Sequence, residues 1–193
     1  MQLPKNRFGF KPAYHTDKFE SGLIYEYTNI LQGLKFQPIT FLEIGVAEGG
    51  SLNYFADYFG HPDTKIVGFD LYPPLTENPS FRKNCDFHIC DQNDNARIKE
   101  IADQYGTFDV ILDDGAHFKK ETENCFDILF SYLKPGGYYL IEDWTAELIG
   151  KEYAGMIDLM LSIIRKNIGV NTTEFTLKMG DRCSYLVLRK RYK

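Results

Sequence analysis

Short apolar runs alternate along the chain with segments whose apolar residues recur at helical spacing. The runs have the length and the β-branched or aromatic content that is typical of buried strands. They cover residues 39–44, 65–70, 87–90, 108–113 and 138–141. Two later strands, at about 174–178 and 185–189, have no helix between them, so we expect them to form an antiparallel hairpin.

Apolar residues three or four positions apart predict the helices. The first helix is expected over about 21–34, with Pro38 after it as a stop signal. Two more helices are expected over about 51–59 and 94–104. A fourth is expected to carry Phe126, Leu129, Phe130 and Leu133 on one face, and a fifth to carry Ile157, Met160, Leu161, Ile164 and Ile168. Alternating strands and helices predict an α/β fold, with a mostly parallel sheet covered on both faces. In such sheets ligands bind beyond the carboxyl ends of the strands.

Composition narrows the class of protein. With 193 residues and 44% hydrophobic residues, the chain fits a single domain over 1–193, in which 1–38 forms an N-terminal helical or lid segment. The net charge of −5 argues against a broad nucleic-acid-binding face. No apolar run approaches the ~20 residues that span a bilayer, and no signal-peptide pattern opens the chain. We therefore expect a cytoplasmic protein whose four cysteines are free thiols.

The loop after the first strand carries a candidate cofactor site. Glycines at Gly45 and Gly49 let the backbone turn sharply, and Ser51 begins the next helix. A dinucleotide-binding loop would read G-x-G-x-x-G, whereas this loop reads E-x-G-x-A-x-G from Glu43. A carboxylate at the strand end suits an ammonium-bearing ligand better than a pyrophosphate. The pattern therefore favours S-adenosylmethionine (SAM) over NAD.

The next two strand ends indicate a nucleoside ligand. Asp70 ends the second strand, where a carboxylate can accept hydrogen bonds from both ribose hydroxyls. NAD enzymes use the same device, so Asp70 does not choose between the cofactors. Asp91 could accept from an adenine amino group, or it could be a helix cap or turn residue before 93–98. Gln92 follows it at the same strand end and is assigned to the cofactor as well.

The fourth and fifth strand ends carry candidate catalytic groups. Asp113, Asp114 and His117 follow one strand, and Glu142 and Asp143 follow the other. If the two strands are neighbours in the sheet, these four carboxylates lie close together beside the cofactor. Because like charges repel, such a group requires a positive counter-charge. A hard divalent cation such as Mg²⁺ would supply it; the alternative is that these acids cap helices and accept backbone hydrogen bonds. His117 is the natural general base for removing a hydroxyl proton.

These motifs together resemble the metal-dependent sugar O-methyltransferases of macrolide biosynthesis, and cephalosporin-hydroxylase-like proteins are similar too. The likeness rests on 42–51, Asp91-Gln92, the DDGAH motif at 113–117, the LKPGG motif at 133–137 and the IED motif at 141–143. It implies a Rossmann-like class I methyltransferase fold with a seven-stranded, mostly parallel sheet.

The resemblance also implies roles for individual residues. It assigns Asp114, Glu142 and Asp143 to Mg²⁺ and His117 to proton removal. We assign Asp113, at the end of the fourth strand, to cofactor binding. The resemblance implies an N-terminal Tyr-His segment near the active site, for which Tyr14, His15 and Tyr25 to Tyr27 are loose counterparts. Two features depart from the family: Ala116 replaces a usual serine, and only about 38 residues precede the first strand, where the macrolide enzymes carry a large extra domain.

The sequence thus predicts a SAM-dependent, Mg²⁺-dependent O-methyltransferase that acts on a hydroxyl of a small molecule, such as a sugar. The alternatives are a nicotinamide oxidoreductase on a similar fold and a non-catalytic SAM-binding domain. Neither a nucleic acid nor a membrane is expected as a partner. The methyl acceptor and the oligomeric state stay open, with a homo-oligomer among the alternatives.

Overall fold

A computed structural model describes residues 14–74, 81–180 and 183–192. These residues form a seven-stranded sheet in the order β3-β2-β1-β4-β5-β7-β6. The strands are β1 (Thr40–Ile44), β2 (Lys65–Asp70), β3 (Cys85–Ile89), β4 (Phe108–Asp113), β5 (Leu133–Glu142), β6 (Thr172–Met179) and β7 (Ser184–Lys190). The helices are α1 (Lys18–Ser21), α2 (Leu23–Ile30), α3 (Gly50–Tyr58), α4 (Asn95–Tyr105), α5 (Lys119–Leu129) and α6 (Met156–Asn167).

The sheet confirms the expected topology. Strands β1 to β5 pair in parallel, and β7 pairs antiparallel with both β5 and β6. The predicted neighbourhood of the fourth and fifth strands is also confirmed, with Asp113 opposite Ile141. Because parallel strands end at the same edge, the carboxyl ends of β1 to β5 are brought together there.

Alternation along the strands divides the core between the two faces of the sheet. In β1, Leu42 and Ile44 pack in one core cluster, whereas Phe41 packs in the other, where its ring meets Phe55 and Phe59 of the α3 region. Side chains on a strand point alternately to opposite faces, so a strand buried on both faces reads as continuously apolar. This explains why the central strands are recognisable in the sequence as uninterrupted apolar runs.

The first predicted helix is wrong as a single element. Residues 21–34 contain the end of α1, then α2, and then a short 3₁₀ turn (Gln32–Leu34). Gly22 separates α1 from α2 with a φ of 86°, in the left-handed region that a glycine adopts without steric cost. The apolar period begins after this break and runs past the end of α2, which buries Leu23, Ile24 and Tyr27 but stops at Ile30, before Leu31 and Leu34.

Two boundaries near β5 also differ from expectation. The helical face that was expected to include Leu133 ends earlier, since α5 stops at Leu129 and Leu133 begins β5 opposite Phe108. The predicted turn at 134–137 is a bulge inside β5, where the register shifts between Phe108 and Val110. Gly136 takes a φ of 80° there, in the left-handed region that a glycine adopts without steric cost.

No helix within the described residues is long and apolar enough to cross a membrane.

Candidate active site

A cleft of about 670 Å³ opens at the carboxyl ends of β1 to β5. Seven of the predicted site residues line it, at the ends of five neighbouring strands. They are Gly45, Asp70, Asp91, Gln92, Asp114, His117 and Asp143. The other predicted residues, Glu43, Gly49, Ser51, Asp113 and Glu142, are not among its described lining residues. The sequence therefore located the cleft, but it did not separate lining residues from those behind them.

Gly45 fixes the distance between two loops at the floor of this cleft. Its φ is 80°, and a Cβ placed on it would lie 2.6 Å from the backbone carbonyl carbon of Asp114. Its amide also donates to the carbonyl of Phe69, at 2.9 Å. Only a glycine allows the β1 and β4 loops to approach so closely.

Asp70 holds the β1 loop in place. One carboxylate oxygen, Oδ2, accepts hydrogen bonds from the backbone amides of Val46 and Ala47, each at 2.9 Å. Ala47 has a φ of 47°, so the loop turns through a conformation that non-glycine residues rarely adopt. Asp70 therefore orders the loop as well as facing the cleft, and its predicted contact with a ribose stays a prediction.

Glu43 lies behind the loop rather than in the cleft. Its side chain is fully buried, and its Oε1 accepts a hydrogen bond from the Ser51 hydroxyl at 2.5 Å. Burial raises the pKa of Glu43 to about 7, although Lys18 and Ser51 oppose the shift. The carboxylate thus joins the end of β1 to the start of α3, a structural contact that the sequence pattern did not indicate.

The end of β3 is tied to the end of β4 through Gln92. Its Oε1 accepts from the backbone amide of Ala116 at 2.8 Å, beside Gly115. Asp91 bends the chain by accepting from the amide of Asn93 at 2.8 Å. The helix cap suggested for Asp91 is instead Asp94, whose side chain accepts from Arg97 at the start of α4. Asp91 is therefore a turn residue that also faces the cleft.

Asp113 lies beneath this edge. It is 2% exposed, and its Oδ1 accepts from the Gly115 amide at 3.3 Å, while its Oδ2 has no hydrogen-bond partner among the described residues. Burial raises the pKa of Asp113 to about 8. Asp113 was predicted to bind the cofactor, but its side chain is buried and is not among the described residues that line the cleft.

Asp114, His117 and Asp143 form a compact cluster at the other end of the cleft. One ligand-type atom from each lies within 4.8 Å of the others. His117 Nε2 is 3.6 Å from Asp114 Oδ1 and 3.8 Å from Asp143 Oδ2. Both His117 and Asp143 have left-handed backbones, with φ of 55° and 50°. Unfavourable backbone at clustered polar residues is typical of functional sites.

Lys18 is the residue in this region that the sequence did not indicate. Its side chain is 2% exposed and reaches from α1 to the carboxylates of Asp114 and Glu142. Burial acts against its charge, but Asp114 and Glu142 outweigh this and raise the pKa of Lys18 well above its usual value. The one available signal was the excess of acids at these strand ends, which required a counter-charge.

The residues that the resemblance suggested as an N-terminal Tyr-His segment lie in different surroundings. Among them, Tyr27 lies beside the acidic edge, where burial and then the charges of Glu142 and Asp114 raise its pKa well above its usual value. Tyr14 donates from its hydroxyl to Asp57 of α3 at 2.7 Å, and the His15 side chain is largely exposed, 3.9 Å from Glu48. Tyr25 is exposed, whereas Tyr27 is buried beside Tyr185. None of these side chains is among the described lining residues of the cleft, which instead include Asp17.

Comparison with known proteins agrees with this architecture. A family model described as "Methyltransferase domain" matches residues 19–189. Mycinamicin VI 2''-O-methyltransferase from Micromonospora griseorubida is 33% identical over 145 residues, which are 69% of this chain and 35% of that protein. A tetracenomycin rhamnoside 3'-O-methyltransferase from Streptomyces olivaceus is 33% identical over 132 residues, covering 62% of this chain and 32% of the relative. The chain thus spans about a third of the length of these relatives.

Solved structures show the same fold. MycE methyltransferase of the mycinamycin pathway, in complex with Mg and SAH, superposes with a TM-score of 0.67 at 27% identity, over 86% of this chain and 49% of its own. The O-methyltransferase TomG from Streptomyces achromogenes superposes with a TM-score of 0.64 at 15% identity, over 94% of this chain and 83% of its own. From residue 19 to residue 189, this chain belongs to the methyltransferase-domain family.

Proposed function

We propose that this chain is a SAM-dependent O-methyltransferase that acts, together with Mg²⁺, on a hydroxyl of a small molecule, and that the acceptor is a sugar of a natural product or glycan. The observation that carries the proposal is the cleft itself. It has Asp70 and Asp91 at the strand ends on one side and the Asp114, His117 and Asp143 cluster on the other. A nucleoside and a hydroxylated acceptor would then meet between these two sets.

The donor set fits a divalent cation in part. Asp114, Asp143 and His117 offer oxygen and nitrogen donors within reach of one another, whereas the predicted ligand Glu142 is engaged by Lys18. We assign the metal to Asp114 and Asp143, with Glu142 as the third ligand when it is free, and keep His117 for proton removal. A bound Mg²⁺ would polarise the acceptor oxygen as a Lewis acid.

The side chains of this protein would remove the proton and position the two substrates. His117, whose Nε2 lies 3.6 Å from Asp114 Oδ1 and 3.8 Å from Asp143 Oδ2, accepts the proton of the acceptor hydroxyl in this proposal. Asp70 and Asp91 orient the nucleoside of SAM, which supplies the methyl group. Glu43 and Ser51 hold the loop that carries Gly45. Positioning and fixed charges supply most of the acceleration.

Other features of the assignment belong to the same proposal. We place residues 1–193 in one domain, with 1–38 as an N-terminal lid or helical segment, and the protein in the cytoplasm. A sugar acceptor is supported by the tetracenomycin relative named above, whose name specifies a rhamnosyl group. The assembly state and the acceptor of this chain are not carried over from the relatives.

The test of function is transfer of a labelled methyl group from SAM to mycinamicin VI, to a tetracenomycin rhamnoside and to simple glycosides with free adjacent hydroxyls. We expect transfer to at least one class, and its loss when EDTA removes the metal and return when Mg²⁺ is added. Calorimetry with SAM and NAD separates the alternatives. Binding of NAD but not SAM would favour an oxidoreductase, and binding of SAM with no transfer to any acceptor would favour a non-catalytic domain.

His117→Asn tests the general base. Asparagine tolerates the left-handed backbone at this position but cannot take the proton, so we expect kcat to fall by about 10²- to 10⁴-fold. The affinity for SAM should stay near that of the unmodified protein. His61→Ala, at a surface histidine near Asp63, is the matched control and should keep full activity. A His117→Asn protein with unchanged kcat would remove His117 from the mechanism.

A further inference from the structure

The positively charged side chain of Lys18 lies against two carboxylates of the site, those of Asp114 and Glu142. Its Nζ contacts Asp114 Oδ2, donates to Glu142 Oε2 at 3.2 Å and lies 3.0 Å from Glu142 Oε1. Both Lys18 and Glu142 are 2% exposed. An ammonium group buried this deeply is rare unless it is paired, so the pairing with two carboxylates is specific.

The segment that carries Lys18 is docked from several sides. Tyr14 bonds Asp57, which also pairs with Arg82 at 2.7 Å. The ring of Phe19 lies edge-on against Tyr54, with centroids 5.3 Å apart. Residues 14–22, which we call the N-terminal latch, therefore lie along α3 and hold the lysine at the site.

The latch also has a point at which it could turn. Gly22 joins α1 to α2 with a φ of 86°, and a Cβ there would meet nothing within 4 Å. The four residues of α1 are too few for a helix that is stable by itself. The position of Lys18 therefore depends on the contacts of the latch, and rotation near Gly22 would withdraw it without disturbing α2.

The ion pair and the metal cluster share Asp114. Its Oδ2 contacts Lys18, and its Oδ1 faces His117 in the cluster with Asp143. Glu142 adjoins Asp143 in the chain, yet its carboxylate faces Lys18. The ammonium group of Lys18 and a divalent cation are alternative counter-charges for the same carboxylate oxygens. Because both are positive, they repel each other when both lie beside these oxygens.

We propose that Lys18 is a tethered cation that competes with the divalent metal for Asp114 and Glu142, so that metal binding through Glu142 requires the N-terminal latch to withdraw. Without metal, Lys18 neutralises the buried acids; with metal, it is displaced. The proposal rests on the metal assignment made above under the proposed function. It adds that the chain itself sets the metal affinity through a residue outside the ligand set.

The competition can be tested by Mn²⁺ binding, without any acceptor or turnover. Electron paramagnetic resonance measures this binding as a loss of the signal of free Mn²⁺. Lys18→Met keeps the length of the side chain and removes its charge. We expect it to lower the Kd for Mn²⁺ by at least about tenfold, since one like charge is removed beside the ion. Lys99→Met, on the exposed surface of α4, is the matched control and should leave the Kd unchanged.

A double-mutant cycle with Glu142→Gln identifies the shared ligand. In the unmodified protein Glu142→Gln removes a metal ligand but also the Lys18 pairing that the metal must displace, so the two effects offset and the Kd should change by less than about twofold; in the Lys18→Met background only the ligand is lost, and the Kd should rise by about tenfold or more. Hydrogen exchange on the unmodified protein gives a second measurement that needs no variant. Saturating Mn²⁺ should speed exchange of the amides in the N-terminal latch.

The outcomes separate the two levels of the proposal. Equal Mn²⁺ affinity in Lys18→Met and the unmodified protein, with no change of exchange in the latch, overturns the competition but leaves the metal site. Absence of Mn²⁺ binding from both proteins overturns the competition and the metal assignment together, while methyl transfer is judged by the separate SAM assay. If Lys18→Met does not fold, the hydrogen-exchange result on the unmodified protein decides.

Discussion

Gly45→Ala tests whether the close approach of the β1 and β4 loops is required. An alanine Cβ would lie 2.6 Å from the backbone carbonyl carbon of Asp114 and 2.7 Å from the Cα of Gly115, so one of the loops must move. Relief of such a clash costs about 1–3 kcal/mol. The φ of 80° adds roughly 1–2 kcal/mol, because alanine has a Cβ that disfavours this region. We therefore expect a loss of about 2–5 kcal/mol in the free energy of unfolding.

The matched control is Gly169→Ala. Gly169 has a similar φ of 73°, but a Cβ there would meet open space, so the substitution should incur only the backbone cost of about 1–2 kcal/mol. Urea unfolding followed by the fluorescence of Trp144, the single and largely buried tryptophan, measures both. Gly45→Ala should also weaken SAM binding in calorimetry, whereas Gly169→Ala should not. Equal losses of stability in the two variants would refute the argument from close approach.

Two further predictions concern the carboxylates around the cofactor loop. Because folding raises the pKa of Glu43 from 4.5 to about 7, the folded state keeps a proton that the unfolded chain releases between these pH values, and stability declines as the pH rises through this window. Glu43→Gln should lessen the decline by roughly 3 kcal/mol in urea titrations at pH 4.5 and 7.5, and an unchanged slope would contradict the assignment. Asp70→Ala removes the acceptor of two loop amides, so we expect the Kd for SAM to rise at least about tenfold in calorimetry, with Asp63→Ala as an exposed control. An unaltered Kd would mean that Asp70 neither orders the loop nor contacts the cofactor.

The order of strands and helices was readable from the sequence because it depends on local patterns. Strands buried on both faces are continuous apolar runs, and the helices repeat apolar residues at their own period, so β1, β2 and β4 were located almost to the residue. The first helix was predicted too long because Leu31 and Leu34 keep the apolar spacing after α2 has ended at Ile30, where the chain continues as a short 3₁₀ turn.

The cleft was also predictable in outline. Parallel strands carry their carboxyl ends to one edge, so polar residues that follow successive strands must meet there, as Asp70, Asp91, Asp114 and Asp143 do. The depth of each side chain was not predictable. Glu43 and Asp113 lie within the ends of β1 and β4 and are buried there, and this burial raises the pKa of each.

The sequence by itself determined the class of fold, the edge of the sheet at which the cleft opens and the residue types available there. Only the tertiary structure decided which of them face the cleft and what offsets their charge. Lys18 lies 96 residues before Asp114 and 124 before Glu142, and no local period links such distant positions. The pairing arises because folding removes the acids from water, and a buried carboxylate must find a counter-charge wherever the packed chain brings one.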